Sequence, residues 1–258
     1  MGTCEIVVNQ KIKVLVDQML KGDKASLAQL ISLIERESPD VPEIMGLVSP
    51  FPLKVYRVGI TGLAGAGKST LVDKLTAFYR NLNYSIGIVA VDPSSVITGG
   101  AVLGDRIRMQ QHYLDEGVFI RSMATRGCYG GLCKVVEDVI KLMNASGKDI
   151  LIIETTGIGQ TETNITQVAD VVVLVLTPGF GDSIQLMKAG LIEIADIIVV
   201  NKADLEGAEL LVNEIKDELS YSTRKTDQSV IMVQASSDIG VKELFEEIEK
   251  RRKSKESA

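Results

Sequence analysis

Val58–Thr70 reads V-G-I-T-G-L-A-G-A-G-K-S-T and contains the spacing G-x-x-x-x-G-K-[ST], with Gly62, Gly67, Lys68 and Ser69 in the fixed places. An apolar, β-rich run, Val55–Thr61, precedes it, and an amphipathic run, Leu71–Asn81, follows it. Strand, loop and helix in that order is the context in which this spacing wraps a phosphate. Glycines let the backbone curl without Cβ clashes, so that several N–H groups point inward. The following helix adds its positive N-terminal end. On this reading Gly62, Leu63, Ala64, Gly65, Ala66, Gly67, Lys68, Ser69 and Thr70 form the phosphate-binding set. Lys68 reaches the β- and γ-phosphates, and the Ser69 hydroxyl ligates Mg2+.

Downstream of this loop the pattern alternates. Strands are expected at Ser85–Asp92, Val118–Met123, Asp149–Thr155, Asp170–Thr177, Asp196–Asn201 and Val230–Ala235. Helical runs lie at Leu132–Met143, Ile184–Ile194, Gly207–Leu219 and Val241–Lys255. Short β-branched strands between helices predict an α/β fold of the P-loop NTPase kind, a mostly parallel sheet with helices on both faces. Ligands of such sheets sit at the carboxyl ends of the strands. Upstream, residues 11–37 read as two helices broken at Gly22, the second capped by Asp23, with Leu27, Leu30, Ile31 and Ile34 on one face. Ser38–Pro52 holds four of the six prolines and reads as a connector. The expected division is a short N-terminal helical extension and linker over 1–52, packed on the side of a P-loop domain over 53–258.

Composition sets the outer bounds. The chain has 258 residues, 24% of them charged and 45% hydrophobic, as in an ordinary globular protein. A net charge of −6 argues against a nucleic-acid partner. Three cysteines, Cys4, Cys128 and Cys133, leave at least one unpaired, so a disulfide framework is not expected and a cytoplasmic location is. The N-terminus lacks a basic-then-apolar leader pattern, and no apolar run is long enough to span a membrane, so no membrane partner is expected.

The second decisive motif is Asn201-Lys202-Ala203-Asp204, after the strand Ile197–Val200. The Asp204 carboxylate can accept hydrogen bonds from the guanine N1–H and 2-amino group, donors that adenine lacks in that place. Asn201 can brace the phosphate loop, and the stem of Lys202 can cover the ring. Ala235-Ser236-Ser237 follows the next strand, where a backbone N–H could meet the guanine oxygen. Together these residues point to GTP and GDP rather than ATP.

Carboxylates at strand ends complete the expected site. Asp92 ends its strand in V-D-P-S-S, Asp105 lies in L-G-D-R-I-R-M, and Glu154 ends its strand in I-I-E-T-T-G. Mg2+ takes hard oxygens in octahedral geometry, so Ser69 with Asp92, Asp105 and Glu154 is the expected metal set, Glu154 holding the Walker-B place. Lys68, Asp92, Asp105 and Glu154 are the expected catalytic set. Thr156–Gln160 reads as a switch loop that responds to the γ-phosphate, with Gln160 and Glu162 as candidates to orient water. Arg106, Arg108, Arg121 and Arg126 are candidates for transition-state charge, with ordinary ion pairing as the rival for each.

The set G-L-A-G-A-G-K-S-T, V-D-P-S-S, L-G-D-R-I-R-M, E-T-T-G-I-G-Q-T-E, L-T-P-G-F-G-D and N-K-A-D resembles the MeaB/ArgK/MMAA family, G proteins of the signal-recognition and metallochaperone class. The likeness runs from about Lys11 to the last helix. It implies a GTPase that chaperones an adenosylcobalamin-dependent acyl-CoA mutase of the methylmalonyl-CoA type, gating cofactor delivery and protecting the mutase. It implies roles in phosphate, Mg2+ and hydrolysis for Lys68, Ser69, Asp92, Asp105 and Glu154, and makes Thr177–Lys188 a partner-responsive loop. Family members usually carry a C-terminal extension that builds the dimer, and the sequence here stops at Ala258, which puts dimerisation by that route in question; a homodimer is the assembly the resemblance implies.

Two rival functions follow from the same motifs. A nickel- or cobalt-insertion GTPase would carry His-rich tracts or paired cysteines, whereas this chain has one histidine, His112, read as an ordinary helix residue, and no C-x-x-C. A small-molecule or protein kinase would need a base for the substrate hydroxyl and an acceptor pocket, and neither signature is evident.

Overall fold

The computed structural model describes residues 10–92, 112, 114–124, 134–155, 163–179, 191–221 and 227–256. Seven strands carry the fold: β1 Tyr56–Gly62, β2 Ile86–Asp92, β3 Val118–Ala124, β4 Ile150–Thr155, β5 Val171–Leu176, β6 Ile197–Asn201 and β7 Ser229–Val233. Their order in the sheet is β3-β2-β4-β1-β5-β6-β7, and every described pairing between them is parallel. The strand that enters the phosphate loop is thus central, with β4 on one side and β5 on the other. The expected strands are all present, each within a residue or two of its sequence-based bounds.

The described helices are α1 Gln10–Leu20, α2 Lys24–Glu35, α3 Val41–Val48, α4 Lys68–Asn81, α5 Lys134–Ala145, α6 Leu191–Ile194, α7 Ala208–Tyr221 and α8 Val241–Glu256. Strand side chains alternate between two faces. Val171, Val173 and Val175 of β5 join Val58, Ile60 and Ile152 under α4 and α8. Val172 turns to the opposite face, with Val89, Val91, Leu151 and Ile153 under α1, α2, α3 and α5. Leu174 and Leu176 share that opposite face with Ile198, Val200, α6 and α7. Both sides of the sheet are apolar because both are covered, as the β-branched runs implied.

The N-terminal helices belong to this packing. Asp23 caps α2, its carboxylate accepting from Ser26 N at 2.8 Å. Lys24 Nζ donates at 2.9 Å to the carbonyls of Asp115 and Val118, tying α2 to edge strand β3. Residues 38–52 differ from the connector expected there: they hold α3. Pro42 lies in the first helical turn, where its missing N–H is no loss and its φ suits the helix. Ile44 and Val48, one turn apart, bury beneath it. The helix after the phosphate loop begins at Lys68 rather than Leu71, because Gly67 is itself the N-cap.

The lower edge of the sheet is closed by ions. Asp170, just before β5, accepts from Arg57 N at 2.8 Å, Nε at 2.9 Å and Nη2 at 2.6 Å, and Lys255 at the end of α8 pairs with it as well. Burial pushes this carboxyl up, and the hydrogen bonds from Arg57 and Lys255 outweigh that, holding it below the ordinary carboxylate range. The upper edge, where the strands end, is left for the nucleotide motifs. Among the described residues no helix is long and apolar enough to cross a membrane.

Candidate functional site

The loop between β1 and α4 is shaped by its glycines. Gly62 has φ +134°, and a Cβ there would lie 2.1 Å from Val175 O, so only glycine lets β1 leave β5 at this point. Gly67 has φ +89°, and a Cβ there would sit 2.3 Å from Asn201 Nδ2. Within the loop Ala66 N donates to Leu63 O at 3.2 Å. Lys68 opens α4, and its buried ammonium donates to Gly62 O at 2.7 Å and Leu63 O at 2.8 Å. The cation thus rests against the cradle that the sequence assigns to phosphate.

The next residue, Ser69, donates through Oγ to Glu154 Oε1 at 2.7 Å, both side chains being buried. Glu154 lies on β4 between Ile60 of β1 and Ala90 of β2, so its side chain projects to the α4 face. The fold thus brings together Ser69 and Glu154, two residues that the sequence reading places in the metal set. On the opposite face, Thr155 Oγ1 donates to Thr61 Oγ1 at 2.9 Å, joining the last residue of β4 to the penultimate residue of β1.

The base-side motifs converge on the same edge. Asn201, buried at the end of β6, donates from Nδ2 to Ala66 O at 2.8 Å and accepts from Ala235 N at Oδ1 at 3.1 Å. One side chain therefore clamps the phosphate loop to the segment that follows β7. Lys202 takes a left-handed φ of +56°, and Ala203 N donates to Val233 O at 3.1 Å, which turns the chain so that Asp204 is exposed at the rim. Ala235–Ser237 forms a short 3-10 turn. Asp238 then bridges to Lys74 of α4 at 2.9 Å, a contact no motif announced.

Several expected residues stand elsewhere. Asp92 ends β2, level with Ala124, but its side chain lies outside the described residues. So do Asp105, Thr156–Gln160, Glu162, Arg106, Arg108, Arg126 and residues 180–190. Arg121 projects from β3 toward α2, where it pairs with Glu35 and donates to Ser32 Oγ at 3.0 Å, so it is a structural ion pair. His112 packs on α4, its Nε2 lying 3.1 Å from Asp73 O and 3.3 Å from Asp73 Oδ1.

A family model described as methylmalonyl-CoA mutase-associated GTPase MeaB matches residues 27–258. The chain belongs to this family. MeaB-family kinship is repeated in individual relatives. A putative GTPase of Pyrococcus abyssi is 48% identical over 92% of this chain and 75% of its own length. The GTPase ArgK of Escherichia coli is 35% identical over 73% of this chain and 58% of its own. The crystal structure of a LAO/AO transport system kinase superposes with a TM-score of 0.75, covering 96% of this chain and 77% of that one at 24% identity, a likeness of fold. The MeaB-family chain is thus a P-loop GTPase.

Proposed function

We propose that this chain uses GTP binding and hydrolysis to gate cofactor loading and protection of an adenosylcobalamin-dependent acyl-CoA mutase of the methylmalonyl-CoA type. The description of its family as mutase-associated supports the partner. The observation that carries the nucleotide switch is Asn201, which holds the phosphate loop and the base-side turn in one piece. In this reading Gly62–Thr70 enclose the phosphates and Lys68 turns its ammonium to them. Asp204 takes the guanine N1–H and amino group, Lys202 covers the ring, and Ala235-Ser236-Ser237 present backbone N–H to the guanine oxygen.

Ser69 Oγ and Glu154 Oε1, 2.7 Å apart at a strand end, are the hard-oxygen donors Mg2+ favours. They fit the ion, and Asp92 and Asp105 are proposed to complete its surroundings. Bound there, Mg2+ would neutralise charge on the phosphates. Residues 1–52 are proposed as a helical extension carried by a GTPase domain over 53–258, acting in the cytoplasm, with a homodimer as the proposed assembly.

The test is single-turnover GTP hydrolysis by the full chain, with and without a cobalamin-loaded methylmalonyl-CoA mutase. The expected result is a faster turnover in the presence of the mutase. Unchanged turnover, together with no complex by gel filtration, would leave the GTPase intact and remove the mutase from this reading.

A further inference from the structure

Arg121 is a charge at a position that its strand makes apolar. Phe119 and Met123, on the same side of β3, are buried in the cluster under α1, α2 and α5, whereas Ile120 turns to the α4 face. A guanidinium placed there is costly unless its donors are bonded. Nη2 is bonded: it pairs with Glu35 and donates to Ser32 Oγ at 3.0 Å, and Ser32 Oγ donates in turn to Ala28 O at 2.9 Å. Nε is sealed from solvent with no partner among the described residues. Nη1 has no partner among them either, and it is not sealed.

Arg121 opens on a cavity of about 380 Å3 between α1, α2 and β3. Arg36, at the C-cap of α2, and Lys11, in the first turn of α1, line it too, and no carboxylate among the described residues does. The guanidinium of Arg36 has no hydrogen bond or ion pair among the described residues. In a chain of net charge −6, three cations around one opening are a local reversal of charge. Leu15, Ala28 and Leu33 give the same cavity an apolar wall. Its volume lies at the small end of ligand sites, which run about 300–1,000 Å3.

The lining selects the ligand. Glu35 and Ser32 hold the planar fork of Arg121 in place, so little rotamer freedom is left to lose on binding. Guanidinium groups match the oxygens of carboxylates and phosphates. A carboxylate brings one negative charge. A phosphomonoester brings about 1.5 to 2 near neutral pH, with three acceptor oxygens, and can satisfy two guanidinium groups together.

We propose that this cavity is a binding site for a small phosphomonoester, its phosphate held by Arg121 and Arg36 and its apolar part laid against Leu15, Ala28 and Leu33. The cavity lies on the face of the sheet opposite α4, and the guanine-nucleotide site is no part of it.

The test is calorimetric titration of n-butyl phosphate into the full chain, first saturated with GDP and Mg2+ so that the phosphate loop is occupied. Inorganic phosphate and n-butanol are the comparison probes. The parent should bind butyl phosphate saturably, about 3- to 10-fold more tightly than inorganic phosphate, the worth of one or two buried methylenes. It should not bind n-butanol. Arg36→Gln should weaken butyl phosphate about 3- to 10-fold, one net hydrogen bond, and should melt as the parent does because this guanidinium bonds nothing in the free protein. Arg121→Lys keeps a cation for Glu35 but loses the fork, so it should weaken butyl phosphate at least as much and leave GDP binding unchanged. Equal binding by the parent and both variants would overturn the proposal, as would no saturable binding by the parent at millimolar concentration, or n-butanol bound as well as butyl phosphate. An acidic peptide bound in its place would assign the cavity to a protein partner and overturn it as well. A parent that failed to bind GDP would count against the nucleotide reading alone, with the two arginine variants still deciding the cavity.

Discussion

Replacing Asn201 by alanine tests the clamp on which the site depends. The side chain is 3% exposed and makes two hydrogen bonds, to Ala66 O at 2.8 Å and from Ala235 N at 3.1 Å. Ala66 and Ala235 are themselves 1% and 2% exposed, so the groups left behind have little access to solvent. A buried polar group left unbonded costs about 1–3 kcal/mol. Two such groups, with a water recovering part of the loss in the vacated space, give about 2–4 kcal/mol. For a domain of this size each kcal/mol lowers the melting temperature by about 2–4 °C, so Asn201→Ala should melt roughly 4–16 °C below the parent. Lys74→Ala is the control. It breaks the Lys74–Asp238 pair, whose side chains are 28% and 59% exposed, and such a pair is worth at most about 1 kcal/mol. Asn201→Asp keeps an acceptor for Ala235 N but sets an oxygen against Ala66 O, so it should fall between. Scanning calorimetry of the nucleotide-free proteins measures this, and GDP titration should show weakened binding by the alanine variant. An Asn201→Ala protein that melts within about 1 °C of the parent, or no lower than Lys74→Ala, would refute the reasoning, because the clamp would then carry no free energy.

Three further outcomes are expected. Asp204→Asn should weaken GDP and GTP by about 3 kcal/mol, the worth of charge-assisted bonds to the base, and improve binding of xanthine nucleotides; competition titration reads both effects. Glu154→Gln should keep GDP affinity while slowing GTP turnover and raising the Mg2+ needed for half-maximal rate, measured by phosphate release across a Mg2+ series. Asp170→Asn concerns pH. The carboxyl is depressed in the folded state, since the hydrogen bonds of Arg57 and Lys255 outweigh burial. Its contribution is complete above the unfolded value of about 3.9 and is lost as pH falls through the lower folded value. The variant should therefore melt lower at neutral pH and show a flatter acid limb below about pH 4, read from melting temperature against pH.

Much of this protein is set by local pattern, and that part is legible without coordinates. A strand, a glycine loop and a helix at Val58–Asn81 are contiguous in sequence, and so is the turn Asn201–Asp204 after β6; short-range backbone geometry specifies each. The alternation of β-branched runs with helical ones likewise requires a parallel sheet covered on both faces. Asp23 as a cap was legible for the same reason, since its partner Ser26 is three residues away.

What only the tertiary structure decided are the meetings of residues far apart in the chain. Ser69 and Glu154 are 85 residues apart, Asn201 and Ala66 are 135 apart, and a sheet order of β3-β2-β4-β1-β5-β6-β7 brings each pair to one edge. The sequence could name Asn201 as a brace, but not the second bond to Ala235 that makes it a clamp. It could not show α3, because prolines at 39, 42 and 50 read as breaks unless the first-turn position of Pro42 is seen. Nor could it separate Arg121 from the arginines nearer the motifs, since that depends on which face of β3 meets α2. The buried hydroxyl of Thr177, without a hydrogen-bond partner among the described residues, is the extreme case: that is a property of everything packed around it, and no window of sequence contains the information.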